Sequence, residues 1–322
     1  MYKTVPPVLY MVVPCYNEEA ALPVTARRLL EKLHTLTAEG RTAPESRIVF
    51  VDDGSKDRTW ELIHTLHTEN PQFQGIKLSR NCGHQRALLA GLMTVRTACD
   101  CVISLDADLQ DDINAMDEML KKFGEGCEIV YGVRCDRETD TAFKRGTAQS
   151  YYRMMHHLGA ELVYNHADYR LMSRRALEAL SGYGEVNVFL RGIVPMLGFR
   201  TGEVYYARSA RMQGESKYPL RKMLSFAFEG VSSLSIEPIR LITMLGVGIF
   251  LVSVAMLVYI LVRHFQGYTV TGWTFLAVSV WGIGGLQLLS IGIVGEYIGK
   301  IYLESKHRPR YHLEVYLSDE EK

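Results

Sequence analysis

Asp106, Asp108, Gln110, Asp111 and Asp112 follow directly on the short, mostly apolar run Val102-Ile103-Ser104-Leu105, so four carboxylates and an amide crowd together. An extended chain projects residues i and i+2 to one side. Asp106 and Asp108 are therefore expected to share a face at the tip of a buried strand, with Gln110 continuing it. Hard oxygen ligands at that spacing suit Mg2+ or Mn2+ held together with substrate phosphates. The bland alternative is a strand end leading into a helix, with Asp111 or Asp112 as its N-cap.

Three earlier stretches repeat the pattern of an apolar run ending in polar residues. Val8 to Val13 is stopped by Pro14 and gives way to Cys15-Tyr16-Asn17-Glu18-Glu19. Arg47 to Val51 runs into Asp52-Asp53-Gly54-Ser55-Lys56-Asp57. There Gly54 permits a tight turn, and Ser55 or Asp57 can cap the helix carrying Trp60, Leu62, Ile63 and Leu66. Gly75 to Leu78 leads into Ser79-Arg80-Asn81-Cys82-Gly83-His84-Gln85 and a helix expected from Arg86 to about Thr97. Leu22, Ala26, Leu29, Leu30 and Leu33 recur at helical spacing after the first strand. Continuous rather than alternating apolar runs mark strands buried on both faces.

Strand, polar turn and helix, repeated four times, predict an α/β domain with a doubly wound, mostly parallel sheet. Ligands of such sheets bind outside the carboxyl ends of the strands. Each loop there is loaded with Asp, Asn, Glu or Arg, which predicts a nucleotide-and-metal crevice. No G-x-G-x-x-G follows the first strand and no G-x-x-x-x-G-K-[ST] occurs, so dinucleotide dehydrogenase and P-loop ATPase readings lose support. Lys plus Arg and Asp plus Glu each number 36, and no bulk field argues for nucleic acid. Six cysteines show no C-x-x-C spacing, and free thiols in a reducing compartment are expected. The apolar run before Pro14 is too short for a secretory signal core.

Farther along, Ile129 to Val133 reads as another strand, ending at Arg134. Residues 143–160 read as a helix with Tyr151, Met154, Met155 and Leu158 on one stripe, a core face foremost and a membrane-docking face as the alternative. Asp168 is a lone acid among apolar neighbours, either a functional group, a helix cap or the partner of Arg170 or Arg174. Ser173 opens the next helix, and Val204 to Ala207 is expected as an edge strand. The loop after it sets Arg211 and Lys217 around Gly214, which suits a mobile phosphate clamp or a solvated basic loop.

Leu241 to Val262 and Thr274 to Gly295 carry no charge, and at roughly 22 residues each can cross a hydrocarbon layer of about 30 Å. Their short connection predicts a hairpin. Lys217, Arg221, Lys222 and Arg240 precede it, and Lys300, Lys306, Arg308 and Arg310 follow. The positive-inside rule therefore puts the polar domain and the tail in the cytoplasm. Pro219 to Pro238 is amphipathic and suits a helix lying in the interface plane. Gly282, Gly284, Gly285, Gly292 and Gly295 allow close packing between spans or subunits. The expected organisation is a catalytic domain over 1–218, an interfacial helix over 219–238, a hairpin over 239–298 with spans at 241–262 and 274–295, and a tail over 299–322.

These motifs resemble the family 2 glycosyltransferases, and among them the polyisoprenyl-phosphate glycosyltransferases such as dolichol-phosphate mannose synthase. The chain looks closest to the bacterial two-span branch that loads glucose or a related sugar onto undecaprenyl phosphate. The resemblance runs along nearly the whole chain, through VPCYNEE, VDDGSKD, LSRNCGHQRALLAGL, SLDADLQDD, YRLMSRRAL, GESKY and GEYIGKIYLESKHRPRY. It implies a GT-A-like nucleotide-sugar domain with nucleotide contacts at Pro14, Tyr16, Glu18, Val51 and Asp53. Metal binding falls on Asp106, Asp108 and Gln110, and pyrophosphate or acceptor-phosphate contacts on Arg134, Arg211 and Lys217. Related branches place a candidate base at the acid matching Asp168, and Cys15 and Cys82 carry no implied role.

The implied reaction is inverting, metal-dependent transfer of a sugar, foremost glucose, from a UDP-sugar to a polyisoprenyl phosphate. Its place is the cytoplasmic face of a bacterial inner membrane, and its agent a homo-oligomer such as the tetramer of relatives. Asp106, Asp108, Arg211 and Lys217 are expected to carry the chemistry ahead of Asp168. N-acetylhexosamine, mannose and aminoarabinose-type donors fit the same motifs. A processive polysaccharide synthase would carry Q-x-x-R-W and more spans, and this chain has neither. A non-catalytic membrane adaptor and a sugar-phosphate transferase releasing UMP are the remaining rivals, which transfer and product assays separate.

Overall fold

The protein is described from a computed structural model over residues 5–134, 166–186, 188–207, 237–266 and 273–318. The helix expected at 143–160, the loop with Arg211 and Lys217, and the amphipathic stretch up to 236 lie outside these residues. Two compact units are present, one built on a sheet and including the chain from Pro309, the other helical.

In the first unit, strands β1 (Leu9–Cys15), β2 (Arg47–Asp52), β3 (Phe73–Leu78) and β4 (Cys101–Ser104) alternate with helices α1 (Leu22–Ala38), α2 (Thr59–Glu69) and α3 (His84–Val95). Helix α4 (Ala115–Gly124), β5 (Ile129–Arg134), β6 (His166–Ser173), α5 (Arg174–Ser181), α6 (Leu190–Met196) and β7 (Thr201–Tyr206) follow. Strand β8 (Leu313–Leu317) is the last of the described strands. The sheet has eight strands in the order β7-β5-β6-β4-β1-β2-β3-β8. The β4-β1-β2-β3 half is parallel, as its unbroken apolar runs predict.

Successive strand residues point to opposite faces. Leu9, Met11, Val13, Ile48, Phe50 and Ile103 accordingly pack with Leu29 and Leu33 of α1 and Met116 and Met119 of α4. Val12, Val49, Val51 and Val102 pack with Leu88 and Leu92 of α3 and Leu177 and Leu180 of α5. Two apolar layers sandwich one sheet, which is the doubly wound arrangement. Gly91 lets α3 lie close on it, since a Cβ there would meet Val12 Cγ1 at 2.5 Å and Val51 Cγ2 at 2.8 Å.

Three local expectations are corrected. Pro14 does not stop β1, which continues to Cys15. The ladder to β4 ends at Val12↔Ser104, so the N–H that proline lacks has no ladder partner to lose on that side. The segment around Asp168 is a strand, β6, inserted antiparallel between β4 and β5. Its start, rather than its end, therefore lies at the carboxyl edge of the parallel strands. The stretch read as a tail continues as helix to Ser305, and β8 then pairs antiparallel with β3. Ser173 does cap its helix, its Oγ accepting from the Ala176 N–H at 3.0 Å.

The helical unit holds α7 (Glu237–Phe265) and α8 (Trp273–Ser305), which pack on each other. Among the described residues, one stretch, Ile283–Ser305 of α8, is long and apolar enough to cross a membrane, with a mean hydropathy of 1.2.

Candidate active site

The loops after β1, β2 and β3 are stitched to one another by side chains bonding to backbone. Asn17 sits at φ 55, its Oδ1 accepts from the Lys56 N–H at 2.8 Å, and its own N–H donates to Ser55 Oγ at 3.0 Å. The Glu18 N–H donates to Thr59 Oγ1 at 2.9 Å. Ser55 thus serves the first loop rather than capping α2, whereas Asp57 Oδ1 accepts from the Thr59 N–H at 3.1 Å. Gly54 has φ 65, and a Cβ on it would lie 2.6 Å from the backbone nitrogen of Asn81, so only glycine fits that turn.

Asp53 is buried, and its two oxygens accept from the N–H groups of Cys82 at 2.6 Å and Gly83 at 2.9 Å. Burial raises its pKa against the pull of those two bonds. Pro14 and Val51 sit side by side in the register with their side chains buried, and Tyr16 stands exposed. The expected nucleotide contacts are therefore gathered at the ends of β1 and β2 and on the loops that follow them, with Asp53 also holding the third loop in place.

The acid loop differs from the extended geometry read from its spacing. Strand β4 ends at Ser104, Ala107 and Asp108 lie in a turn, and Leu109 adopts φ 46. Asp108 Oδ1 accepts from the Gln110 N–H at 3.2 Å, while Gln110 and Asp111 are buried. Asp106 and Asp108 thus come together on a turn rather than on one strand face. The Asp106 side chain is 37% exposed, yet its pKa is raised, first by desolvation and then by the charges of Asp168, Asp111 and Asp108 against the opposing His84. Asp112 serves the next helix in part: its Oδ1 accepts from the Asn114 N–H at 2.9 Å.

Asp168 is brought beside that loop by β6, in which Arg170 pairs with Ser104. It is not a helix cap. Arg170 Nη2 donates to its Oδ1 at 2.6 Å and Arg191 Nη2 to its Oδ2 at 3.1 Å, while Arg174 turns away to the Cys99 carbonyl. Gln85 Nε2 donates to Oδ2 at 3.0 Å. His84 Nε2 lies 3.6 Å from that oxygen and 3.5 Å from Asp106 Oδ1, bridging the two acids. Burial would raise the Asp168 pKa, but His84, Arg191 and Arg170 reverse it and hold the carboxylate well below its usual range. Burial opposes the charged form of His84, yet Asp168 and Asp106 outweigh it and its pKa is raised. The sequence names Arg170 as a candidate partner of Asp168, but His84, Gln85 and Arg191 were absent from the predicted site. The acids were visible as a local run, whereas these partners arrive from α3, β6 and α6.

At the far side of the acid loop, Arg134 lies against the buried Asp111, donating from Nε at 3.1 Å and from Nη2 at 3.0 Å. Tyr206 Oη donates to the same Asp111 oxygen at 2.7 Å. A cavity of about 620 Å³ at the outer edge is lined by Asp112, Glu118, Lys122, Glu203 and Tyr206, and its three carboxylates make it a poor seat for phosphate.

Residues 10–181, which span β1 to the end of α5, match the glycosyl transferase family 2. The chain is 52% identical over 315 residues to the uncharacterized glycosyltransferase YkoT of Bacillus subtilis (strain 168), covering 98% of this chain and 94% of the relative. It is 38% identical over 306 residues to the bactoprenol glucosyl transferase of Shigella phage SfV, covering 94% and 96% respectively. Mannosyl-3-phosphoglycerate synthase from Rubrobacter xylanophilus superposes with a TM-score of 0.45 at 15% identity, covering 70% of this chain and 73% of that one, too loosely to carry an argument. Crevice, acid loop and whole-length relatives agree: the chain belongs to glycosyl transferase family 2 and is a glycosyltransferase.

Proposed function

We propose that the protein transfers glucose, with inversion, from UDP-glucose to a polyprenyl phosphate at the cytoplasmic face of a bacterial inner membrane. The observation that carries this reading is the extent of the match to a bactoprenol glucosyl transferase, which at 94% of the chain takes in the helical unit as well as the sheet. The apolar faces of that unit support a bilayer. Leu251, Val252 and Val258 on α7 and Val280, Leu288 and Ile291 on α8 are exposed, which is unfavourable in water and suits lipid.

Mg2+ or Mn2+ would be held by Asp106 and Asp108, with Gln110 next in the turn. The donor set fits such an ion: burial first, and then the charges of Asp168, Asp111 and Asp108, raise the Asp106 pKa, and a dication relieves that crowded negative charge. Among the described residues, no three His, Cys, Asp or Glu groups converge to enclose a metal. Hard cations bound through one or two carboxylates complete their shell with substrate phosphates and water. Bound there, a dication neutralises the charge that develops on the departing diphosphate.

In the proposed step an oxygen of the lipid phosphate forms a bond to the anomeric carbon. The bond from that carbon to the diphosphate oxygen breaks opposite it, and UDP leaves with the electron pair. A phosphomonoester has its second pKa near 6, so the nucleophile is mostly deprotonated at neutral pH without a base. Asp168, clamped between Arg170 and Arg191, is a weak proton acceptor and acts instead by holding His84 and the arginines beside the acid loop. Arg134, Arg211 and Lys217 are assigned the task of gathering two anionic phosphates.

The decisive assay offers the purified protein a panel of nucleotide sugars with undecaprenyl phosphate and Mg2+ or Mn2+. UDP-glucose should give UDP and a lipid-linked glucose, lost on adding EDTA. Lipid-linked product with another sugar alone would reassign the donor, and no product with any donor would remove the reading.

A further inference from the structure

We infer that Asp111 and Tyr206 are positioning residues that fix Arg134 as the contact for the acceptor phosphate, an assignment that rests on the reaction proposed above. Asp111 belongs to the acid loop by sequence but not by environment. It is 7% exposed, and one of its oxygens takes the Tyr206 hydroxyl at 2.7 Å, Arg134 Nη2 at 3.0 Å and Arg134 Nε at 3.1 Å. That oxygen is taken up by its three donors, and the other, 3.4 Å from Arg134 Nη2, faces the same guanidinium. Asp111 therefore divides the loop's acids into a pair that faces ligand and a strut.

The strut joins three elements: the loop after β4, the end of β5 and the end of β7. Tyr206 is in turn set edge-on against Tyr169 with ring centroids 5.4 Å apart, and the Tyr169 hydroxyl donates to the Asp112 carbonyl at 3.1 Å. Arg134 is gripped along its Nε–Nη2 edge, and Nη1 has no partner among the described residues. The side chain keeps 26% of its surface exposed. A guanidinium held on one edge presents the other as a fixed donor, the geometry in which arginine recognises phosphate.

Its place in the sheet selects which phosphate. The nucleotide loops follow β1, β2 and β3, and the acid loop follows β4, whereas β5 lies beyond β6 on the opposite side of β4. Arg134 thus faces the acid loop from the side away from the nucleotide half. In-line displacement requires the attacking phosphate to approach from the side opposite the leaving diphosphate.

The test is steady-state kinetics on the full-length membrane enzyme with Asp111→Asn, Tyr206→Phe and Arg134→Ala. Asp111→Asn should raise the KM for polyprenyl phosphate roughly tenfold or more, and Tyr206→Phe about threefold, with the KM for the nucleotide sugar within about twofold. In the Arg134→Ala background, Asp111→Asn should add nothing further to the acceptor KM, a coupling that a purely structural role would not give. Equal rises for donor and acceptor, unchanged acceptor KM, or full additivity with Arg134→Ala would each overturn the inference. Should Asp111→Asn fail to fold, Tyr206→Phe decides by the same split. Wild-type enzyme that makes no lipid-linked product removes the proposed reaction and this inference with it, whereas normal wild-type transfer with unaltered variants removes the inference alone.

Discussion

Asp106 and Asp108 are the acids assigned to the metal in the proposed reaction, and their neighbours show how four acids in one loop differ. Asp106→Asn or Asp108→Asn should lower turnover roughly 100- to 1,000-fold, read as lipid-linked product at saturating metal. Asp112→Asn, which keeps an oxygen for the Asn114 N–H, should stay within about twofold of wild type. Asp168 is a different case. Its substitution by Asn strands the buried Arg170 and should cost about 3–5 kcal/mol in thermal or denaturant unfolding. Its native pKa is depressed, so this contribution is present above the unfolded value near 3.9 and fades as pH falls through the native one. The stability gap between wild type and Asp168→Asn should therefore widen as pH falls through the raised pKa of His84, whose charged form Asp168 favours, and shrink below about pH 4. The acids themselves were legible because they form a contiguous run. Arg191 and His84 were not, because a pairing across 23 or 84 positions leaves no local mark.

At the scale of elements, apolar runs ending in polar loops read directly as β1 to β4, since strands covered on both faces must be continuously hydrophobic. Strand β6 was not legible: its run is broken by Asp168 and Arg170, which neutralise each other inside the sheet. Nor was β8, a five-residue edge strand whose pairing partner lies far back in the chain. Its role is testable. Ser79 donates its N–H to the His312 carbonyl at 3.0 Å, so β8 steadies the start of the loop that also holds Asp53. Val315→Pro, which sets a proline opposite Lys77, should lower Tm and weaken UDP binding roughly fivefold, about one backbone hydrogen bond. Calorimetric titration with UDP that shows unchanged affinity alongside a lower Tm would confine β8 to stability.

For the whole molecule, the proposed reaction asks a polar crevice to meet an acceptor dissolved in a bilayer. With α7 and α8 as a hairpin, a periplasmic reporter such as alkaline phosphatase fused after Gln266 should be active, and one fused after Lys322 inactive. Activity in both fusions would break the proposed topology. The pairing of β8 with β3 also orders biosynthesis. Lys77 and Glu314 are bonded at 3.0 Å across a separation of 237 residues. A ribosome finishes β3 long before it makes its partner, and both long helices are synthesised in between. Until then β3 offers an unpaired edge to any other nascent chain. A chain cut short anywhere before Leu313 is therefore left with the open strand that aggregation and proteolysis recognise.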